Sequence, residues 1–338
     1  MSDTSAPSVN RELGVALRRW ARHGVGVVRV LERHGFGTVE SGQLLAASSA
    51  GETAGGVYLG ALDTVAVPLA HAALAGPGAR RADVAEAPAV AAGLACAGGA
   101  TLLGHPLPSA LAEALGAALA DGQPAVLAST ADGARQLVLT GPELAEGHGS
   151  LGADADRAVA EVAVRLLRHG ATVTERITEG ELDVLLDLWV PVPTVLVVGR
   201  GAIGDALLAQ AALLGWAGAQ ITELDAARAA VATFTEADVL VLLDHAGKFD
   251  AVLVDGIARG RGFLGALGSR RTQAARRSRL TAAGLSEDEL ARLHAPVGLD
   301  LGARTPAETA VSIVAEVIAA RGGRGGTALA GNDGRIGA

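Results

Sequence analysis

Residues 194–204 read TVLVVGRGAIG, a run of β-prone residues that leads directly into three closely spaced glycines. In such a turn Gly199 permits the tight bend, and Gly201 lets the backbone approach a pyrophosphate. Gly204 allows the next helix to pack closely against the strand. The N terminus of that helix offers free N–H groups and a positive dipole to a phosphate. The stretch therefore predicts a Rossmann-like domain with cofactor-binding glycines at 199, 201 and 204.

The residues that follow support this interpretation, because strand-like and helix-like segments alternate along the chain. Alternation of this kind is typical of a parallel sheet covered by helices. The predicted order is strand 194–198, helix 203–214, strand 220–224, helix 226–232 and strand 238–243. Asp225 then stands at the end of the second strand, from which a carboxylate bonds a ribose hydroxyl. An open alternative is the same fold with an empty or repurposed pocket.

A change of pattern at Pro191-Val192-Pro193 separates this domain from the residues before it. We predict an α/β protein with an α+β domain over 1–190, a Rossmann-like domain over 191–321 and a disordered Gly-rich tail over 322–338. Residues 76–88 are rich in Gly, Pro and Arg and predict a loop. No long internal repeat is evident. Capping boxes that predict helix starts lie at Ser286–Glu289 and Thr305–Glu308. Predicted N-terminal helices are 9–22, 61–75, 109–122 and 153–168, with strands in 24–32, 42–60, 94–108, 124–141 and 171–190.

Composition narrows the class of protein. A net charge of −8 argues against a basic face for nucleic acid. The one cysteine, Cys96, excludes an intramolecular disulfide framework. No apolar run reaches the ~18 residues of a membrane helix, and the polar first residues lack the apolar part of a secretory signal. We therefore expect a cytoplasmic protein with no nucleic-acid or membrane partner.

A second motif, FLGALGSRR at 263–271, places two arginines after a glycine turn. Gly265 and Gly268 suggest backbone close to a ligand, and Arg270 and Arg271 are suited to clamping an anionic group. Gly268, Ser269, Arg270 and Arg271 are therefore predicted to bind a cofactor. The arginines that follow, Arg276, Arg277 and Arg279, have an alternative interpretation as a solvated basic helix face.

A third stretch, HAPVGLDLGARTPAE at 294–308, is rich in Gly and Pro. His294 is a candidate acid–base group near neutral pH, and Asp300 lies in the same loop. The alternative for His294 is a histidine that only caps the loop. The histidines form no HxH or HxxxH pair, so metal chemistry finds little support. Cys96 is a further catalytic candidate, with inert core as its alternative.

Together these stretches resemble the xanthine dehydrogenase accessory protein family of the XdhC/CoxI type. The resemblance is strongest for VLVVGRGAIG, FLGALGSRR and GLSEDELARLHAPVGLDLGARTPAETAVSIVAEVIAAR, which occur in order. VVRVLERHGFG, GETAGGVYLGALD and AAGLACAGG match the family's N-terminal domain more loosely. The resemblance implies a protein that binds molybdenum cofactor, a pterin with a phosphate. It also implies that the protein assists sulfuration with a cysteine desulfurase and delivers the cofactor to a molybdenum hydroxylase apoenzyme.

The chain departs from the family at one cysteine. The family's Gly-Gly-Cys corresponds here to Leu59-Gly60-Ala61, so Ala61 replaces the thiol and Cys96 is the thiol left to contact molybdenum. The segment after Asp225 is also shorter than is usual in the family. A divergent member could reuse the fold as an NAD(P)-dependent oxidoreductase, with His294 or Asp300 transferring a proton. A homodimer is a further expectation.

Overall fold

The computed structural model describes residues 6–35, 41–94, 97–179 and 182–331. The chain divides into two compact units. The first unit comprises Met1–Leu167, Thr172–Val190 and Leu329–Ala338, and the second comprises Arg168–Ala171 and Pro191–Ala328. Apart from the short segment before Thr172, the second unit therefore begins where the sequence pattern changes.

The first unit contains two antiparallel sheets covered by helices. Its helices are α1 (Ala6–Trp20), α2 (Asp63–Ala72), α3 (Glu86–Ala91), α4 (Ser109–Ala120) and α5 (Ala153–Leu167). Its strands are β1 (Val25–Gly35), β2 (Leu44–Ser48), β3 (Thr53–Gly55), β4 (Gly78–Val84), β5 (Gly98–Leu107), β6 (Ala125–Thr130), β7 (Gln136–Thr140), β8 (Glu146–Gly149), β9 (Val173–Glu179) and β10 (Leu182–Trp189). The strand orders are β3-β2-β1-β5-β4 and β8-β7-β6-β10-β9.

The two sheets repeat one topology, which the sequence did not reveal. In each half a helix precedes three strands, a second helix follows, and two further strands complete the sheet in the same order. The leading helices α1 and α4 pack through Gly14 and Gly116. A Cβ on Gly14 would lie 2.7 Å from the Gly116 carbonyl oxygen, and a Cβ on Gly116 would lie 2.8 Å from that of Gly14. Such reciprocal contacts are those of a twofold relation.

A buried ion pair links the two sheets. The Arg29 side chain on β1 is fully buried, and its Nε lies 2.6 Å from Oδ2 of Asp187 on β10. Arg29 also donates to Oγ of Ser129 at 2.8 Å and to the Leu127 carbonyl oxygen at 2.7 Å. A buried guanidinium is tolerated only where its charge and its N–H groups are matched in this way.

The second unit is built on one parallel sheet. Its strands are β11 (Thr194–Val198), β12 (Ala217–Ile221), β13 (Val239–Leu242), β14 (Phe263–Ala266) and β15 (Leu293–His294). Its helices are α6 (Ala202–Leu213), α7 (Leu224–Ala232), α8 (Asp250–Arg259), α9 (Arg270–Ala282), α10 (Glu287–Leu290) and α11 (Pro306–Arg321). The strand order is β12-β11-β13-β14-β15, with every pairing parallel. The predicted α/β class and Rossmann-like C-terminal sheet are confirmed.

This order places a topological switch point between β11 and β13, because the chain moves outward in opposite directions from these two strands. In open sheets of this kind ligands bind in the crevice at the carboxyl ends of the strands beside the switch point. The glycine turn follows β11 and therefore lies at that edge.

Some local predictions differ from the structure. Residues 76–88 are not a loop, since β4 forms an edge strand on β5 and α3 begins at Glu86. The exposed Arg80 and Arg81 made this strand resemble a loop, yet charged side chains are common on edge strands. In the predicted tail, the chain forms a 3₁₀ turn at Leu329–Gly331, and residues 332–338 lie outside the described residues. No helix in the described ranges is long and apolar enough to cross a membrane.

Candidate functional site

The glycine turn after β11 has the geometry of a phosphate cradle. Gly199 and Gly201 adopt φ values of 120° and 131°, which side-chain-bearing residues rarely reach. A Cβ on Gly204 would lie 3.1 Å from the Val197 side chain, so this glycine allows α6 to approach the sheet. A Cβ on Gly201 would meet no atom within 4 Å. The backbone at Gly201 is therefore open to an approaching ligand.

A cleft of about 350 Å³ opens beside this turn. It lies between the glycine turn, the first turn of α6 and the carboxyl end of β12. Gln220 fixes the turn, because its Nε2 donates to the Gly199 carbonyl oxygen at 2.9 Å. The lining residues are Arg200, Gly201, Asp205, Gln220 and Thr222. A ribose and a phosphate are the groups that a cleft in this position holds in related folds.

Asp225 does not stand where the sequence predicted it. β12 ends at Ile221, and Asp225 lies exposed in the first turn of α7 rather than at the end of the strand. The alanine-rich segment after Glu223 favours a helix, which therefore begins earlier than expected. Thr222, directly after the strand, lines the cleft instead.

The structure adds a turn that sequence reasoning missed. Asp244 and His245 follow β13, and a Cβ on Gly199 would lie 3.1 Å from the Asp244 backbone nitrogen. A Cβ on Gly268 would lie 3.2 Å from Cε1 of His245. The turns after β11, β13 and β14 thus meet at one edge of the sheet. Their position after the third predicted strand was the signal available in the sequence.

The Gly-Ser-Arg-Arg turn after β14 is formed as expected, but its arginines do not share the cleft. Gly268 has a φ of 144°, and Oγ of Ser269 caps α9 by accepting from the Thr272 backbone nitrogen at 3.2 Å. Arg270 lines a separate groove of about 360 Å³ between α9, α10 and β15. Arg271 is exposed and lines neither cavity.

Arg276 is not part of a solvated face. It is fully buried, and its Nε lies 3.1 Å from Oδ1 of Asp250. Its remaining nitrogens donate to Gln273 and to the Asp244 carbonyl oxygen. Arg276 therefore supports the turn after β13. Arg277, one residue along α9, is exposed, which fits the alternative of a solvated face, and it pairs with Glu287.

His294 lies in a structural network away from the cleft. Its ring stacks on Phe263 with centroids 4.1 Å apart, and Nδ1 donates to Oε1 of Glu316 on α11 at 2.8 Å. The Gly298 backbone nitrogen donates to the other Glu316 oxygen at 2.5 Å. These contacts favour the loop-capping alternative for His294. Asp300 is exposed and does not line the cleft.

We expect the Glu316 network to make stability depend on pH. Burial alone would raise the pKa of Glu316, but the hydrogen bonds from His294 and Gly298 outweigh it and hold the pKa below 4.5. The stabilisation is therefore complete above about pH 4.5 and is lost as pH falls through the lower pKa of the folded state. Glu316→Gln should cost about 1–3 kcal/mol at pH 7, and urea unfolding from pH 7 to 3 should show that difference shrinking. Asp300→Asn is the control and should change stability by under about 0.5 kcal/mol. A difference independent of pH would contradict this account.

The N-terminal motif region contains a strained turn. Tyr58 and Leu59 have φ values of 49° and 52°, in the left-handed region that non-glycine residues rarely occupy. Ala61 packs in the same apolar cluster as Leu94. Strain of this kind is often retained at functional sites.

Cys96 lies outside the described residues, so its contact with molybdenum stays a prediction. Within the described ranges no group of three or more His, Cys, Asp or Glu residues could hold a metal ion.

Comparisons with known proteins agree with the C-terminal architecture. Residues 195–317 match the family model described as the XdhC Rossmann domain, which confirms the resemblance stated from the sequence. A crystal structure from Bacillus halodurans, described as a xanthine dehydrogenase, superposes with a TM-score of 0.56 at 17% identity. The match covers 96% of the present chain and 98% of the Bacillus halodurans chain. At 17% identity it shows a shared fold and nothing further.

A curated relative matches part of the chain. The uncharacterized protein YqeB of Escherichia coli K12 is 29% identical over 173 residues. This match covers 46% of the present chain and 32% of YqeB, so it spans about a third of the relative's length.

Proposed function

Because residues 195–317 form an XdhC Rossmann domain, we propose that this chain is an accessory protein for a molybdenum hydroxylase of the xanthine or carbon monoxide dehydrogenase type. In this role it binds molybdenum cofactor, assists sulfuration by a cysteine desulfurase and delivers the cofactor to the apoenzyme. We place this function in the cytoplasm, and a homodimer is part of the proposal.

The cleft at the glycine turn fits the phosphate end of such a ligand. Gly201 leaves open space above a backbone that can approach a phosphate. Arg200 supplies a guanidinium, and Thr222 supplies a hydroxyl at the end of β12. These groups bind and orient a ligand, whereas the molybdenum centre supplies the redox chemistry of the client enzyme. Cys96 is the proposed thiol contact to the metal.

The contacts of His294 favour binding over catalysis. A proton-transfer residue must reach the reacting group, and His294 instead stacks on Phe263 and donates to Glu316. We therefore propose that the chain is a non-catalytic cofactor chaperone. An NAD(P)-dependent oxidoreductase is the alternative that the same glycine turn would serve.

Thermal-shift assays of the whole chain separate these functions. The ligands are NAD(H), NADP(H) and molybdenum cofactor released from a donor enzyme. A ligand at about 100 times its Kd should stabilise the protein by about 2.7 kcal/mol. Stabilisation by the pterin, reduced in Cys96→Ser, supports the chaperone. Substrate-dependent oxidation of a bound nicotinamide, without any pterin binding, would overturn it.

Gly201→Ala should abolish ligand binding at the cleft, because the added methyl group enters the open space and the φ of 131° strains any side chain. Gly284→Ala is a matched control, since Gly284 has a φ of 100° and equally open surroundings away from the cleft. Both variants should lose about 1–3 kcal/mol of stability through backbone strain. Isothermal titration should show binding lost in Gly201→Ala alone. Equal affinities in the two variants would remove the glycine turn from the site.

A further inference from the structure

The side of the cleft formed by β12 has an unusual set of polar groups. In doubly wound sheets the ribose beside the glycine turn lies over the end of this neighbouring strand. A carboxylate there accepts from the unmodified ribose hydroxyl, whereas a nearby arginine accommodates a phosphate on that hydroxyl. Here the first residue after β12 is Thr222, and the carboxylate of Asp225 lies in α7, outside the cleft lining.

An exposed cation lines the same cleft as Thr222. Arg200 lies between the two glycines of the turn, is exposed and lines the cleft. Its side chain makes no ion pair or hydrogen bond with any residue of the described ranges. A guanidinium with free N–H groups matches the oxygen geometry of a phosphate and binds it bidentately.

The remaining polar groups restrict where a phosphate can lie. The Gln220 amide nitrogen already donates to the turn. Asp205, in the first turn of α6, is the carboxylate in the cleft lining. Its negative charge repels a dianion, so a phosphate in the cleft should lie beside Arg200 and Thr222 rather than beside Asp205.

We propose that the cleft selects ligands that carry a phosphomonoester, read by Arg200 and Thr222, over the same ligands without it. This inference rests on the proposed function in that it assigns the ligand to the cleft. Two sources share the chemistry: the 2′-phosphate of NADP(H), and the terminal phosphate of the pterin cofactor in its mononucleotide-free form. In NAD(H), and in a pterin joined to a nucleotide, both phosphates belong to a pyrophosphate, with an ester on one side and an anhydride on the other, so neither ligand carries a phosphomonoester.

Isothermal titration of the full chain with matched ligand pairs tests this selection. The pairs are NADP⁺ with NAD⁺, and pterin cofactor with its nucleotide-linked form, both released from donor enzymes. In at least one pair the phosphomonoester form should bind about 10–100-fold tighter. The pair that shows the difference identifies the source. Equal affinities within each pair would overturn the selection while leaving binding at the cleft intact. No binding in either pair would overturn both proposals.

Variants assign the selection to named side chains. Arg200→Ala should reduce the preference to less than about threefold, and Arg200→Lys should restore part of it as a point charge. Arg304→Ala, which changes an exposed arginine outside the cleft lining, is the control and should keep the full preference. Thr222→Asp should reverse the preference by repelling the phosphate and accepting from a free hydroxyl. A preference that survives both Arg200→Ala and Thr222→Asp would contradict the assignment.

Discussion

Replacing Asp187 with alanine should lower the free energy of unfolding of the first unit by about 3–5 kcal/mol, because the change leaves Arg29 as an uncompensated buried charge. Arg29 is fully buried, and its Nε lies 2.6 Å from the Asp187 carboxylate. Asp187 also accepts from the Thr174 hydroxyl, so a partly buried hydrogen bond is lost as well. Within the described part of the chain, the other hydrogen bonds of Arg29 go to the Ser129 hydroxyl and to two backbone carbonyl oxygens, so no second carboxylate compensates its charge.

The matched control for this prediction lies on the same strand. Asp183 pairs with Arg176 in two bonds of 2.7 Å, but the side chains are 42% and 37% exposed. Asp183→Ala should therefore cost only about 0–1 kcal/mol. Urea unfolding can be followed by fluorescence in a Trp216→Phe background, since Trp20 and Trp189 both lie in the first unit. Similar losses for the two variants would show that burial of the Arg29 pair carries no added stability.

The second large effect is expected at Asp250. Its carboxylate holds two arginines, with Arg276 at 3.1 Å and Arg279 at 2.5 Å. Arg276 is fully buried and cannot regain water when its partner is removed. Asp250→Ala should therefore destabilise the second unit by about 3–5 kcal/mol. Hydrogen exchange of peptides from α8 and α9 should report this loss.

Asp250→Ala should also weaken ligand binding at the cleft. Arg276 donates to the Asp244 carbonyl oxygen at 2.8 Å, and the Asp244 backbone lies against Gly199. Loss of the ion pair thus frees a turn that supports the cradle. Glu287→Ala, on α10, is the control. It removes the exposed partner of Arg277, which lies on α9 beside Arg276, and should cost about 0–1 kcal/mol. Unchanged exchange in α9 together with unchanged affinity would contradict this role for Asp250.

The features predicted correctly from sequence were those set by local chemistry. A glycine turn can be recognised in the sequence because few residues other than glycine adopt its positive φ values, as at Gly201. The capping boxes at Ser286 and Thr305 form as expected because their partners lie three residues away. The short run TVLVV of β11, rich in β-branched residues and followed by glycines, predicts a strand rather than a helix.

The features that were missed depend on distant partners. The second strand was predicted at 220–224 but lies at Ala217–Ile221, because the weak sequence AGAQI forms a strand only by pairing along its whole length with β11. The burial of Arg276 follows from Asp250, 26 residues away, and the position of His294 follows from Glu316, 22 residues away. The spacing of these residues along the chain does not indicate either pairing. From sequence alone, Arg276 was therefore compatible with a surface position and His294 with a catalytic role.

The repeated topology of the first unit gives the chain a freedom that two identical subunits lack. In a symmetric pair every substitution occurs twice, whereas here the halves can evolve apart. The turn Leu151-Gly152 is held by Asp156, which accepts from the Leu151 backbone nitrogen and the Ser150 hydroxyl at 2.6 Å each. Its counterpart beside Ala61 retains strained backbone instead. One half can thus specialise for a ligand while the other half preserves the scaffold, and a change at position 61 need not be matched in the turn before α5.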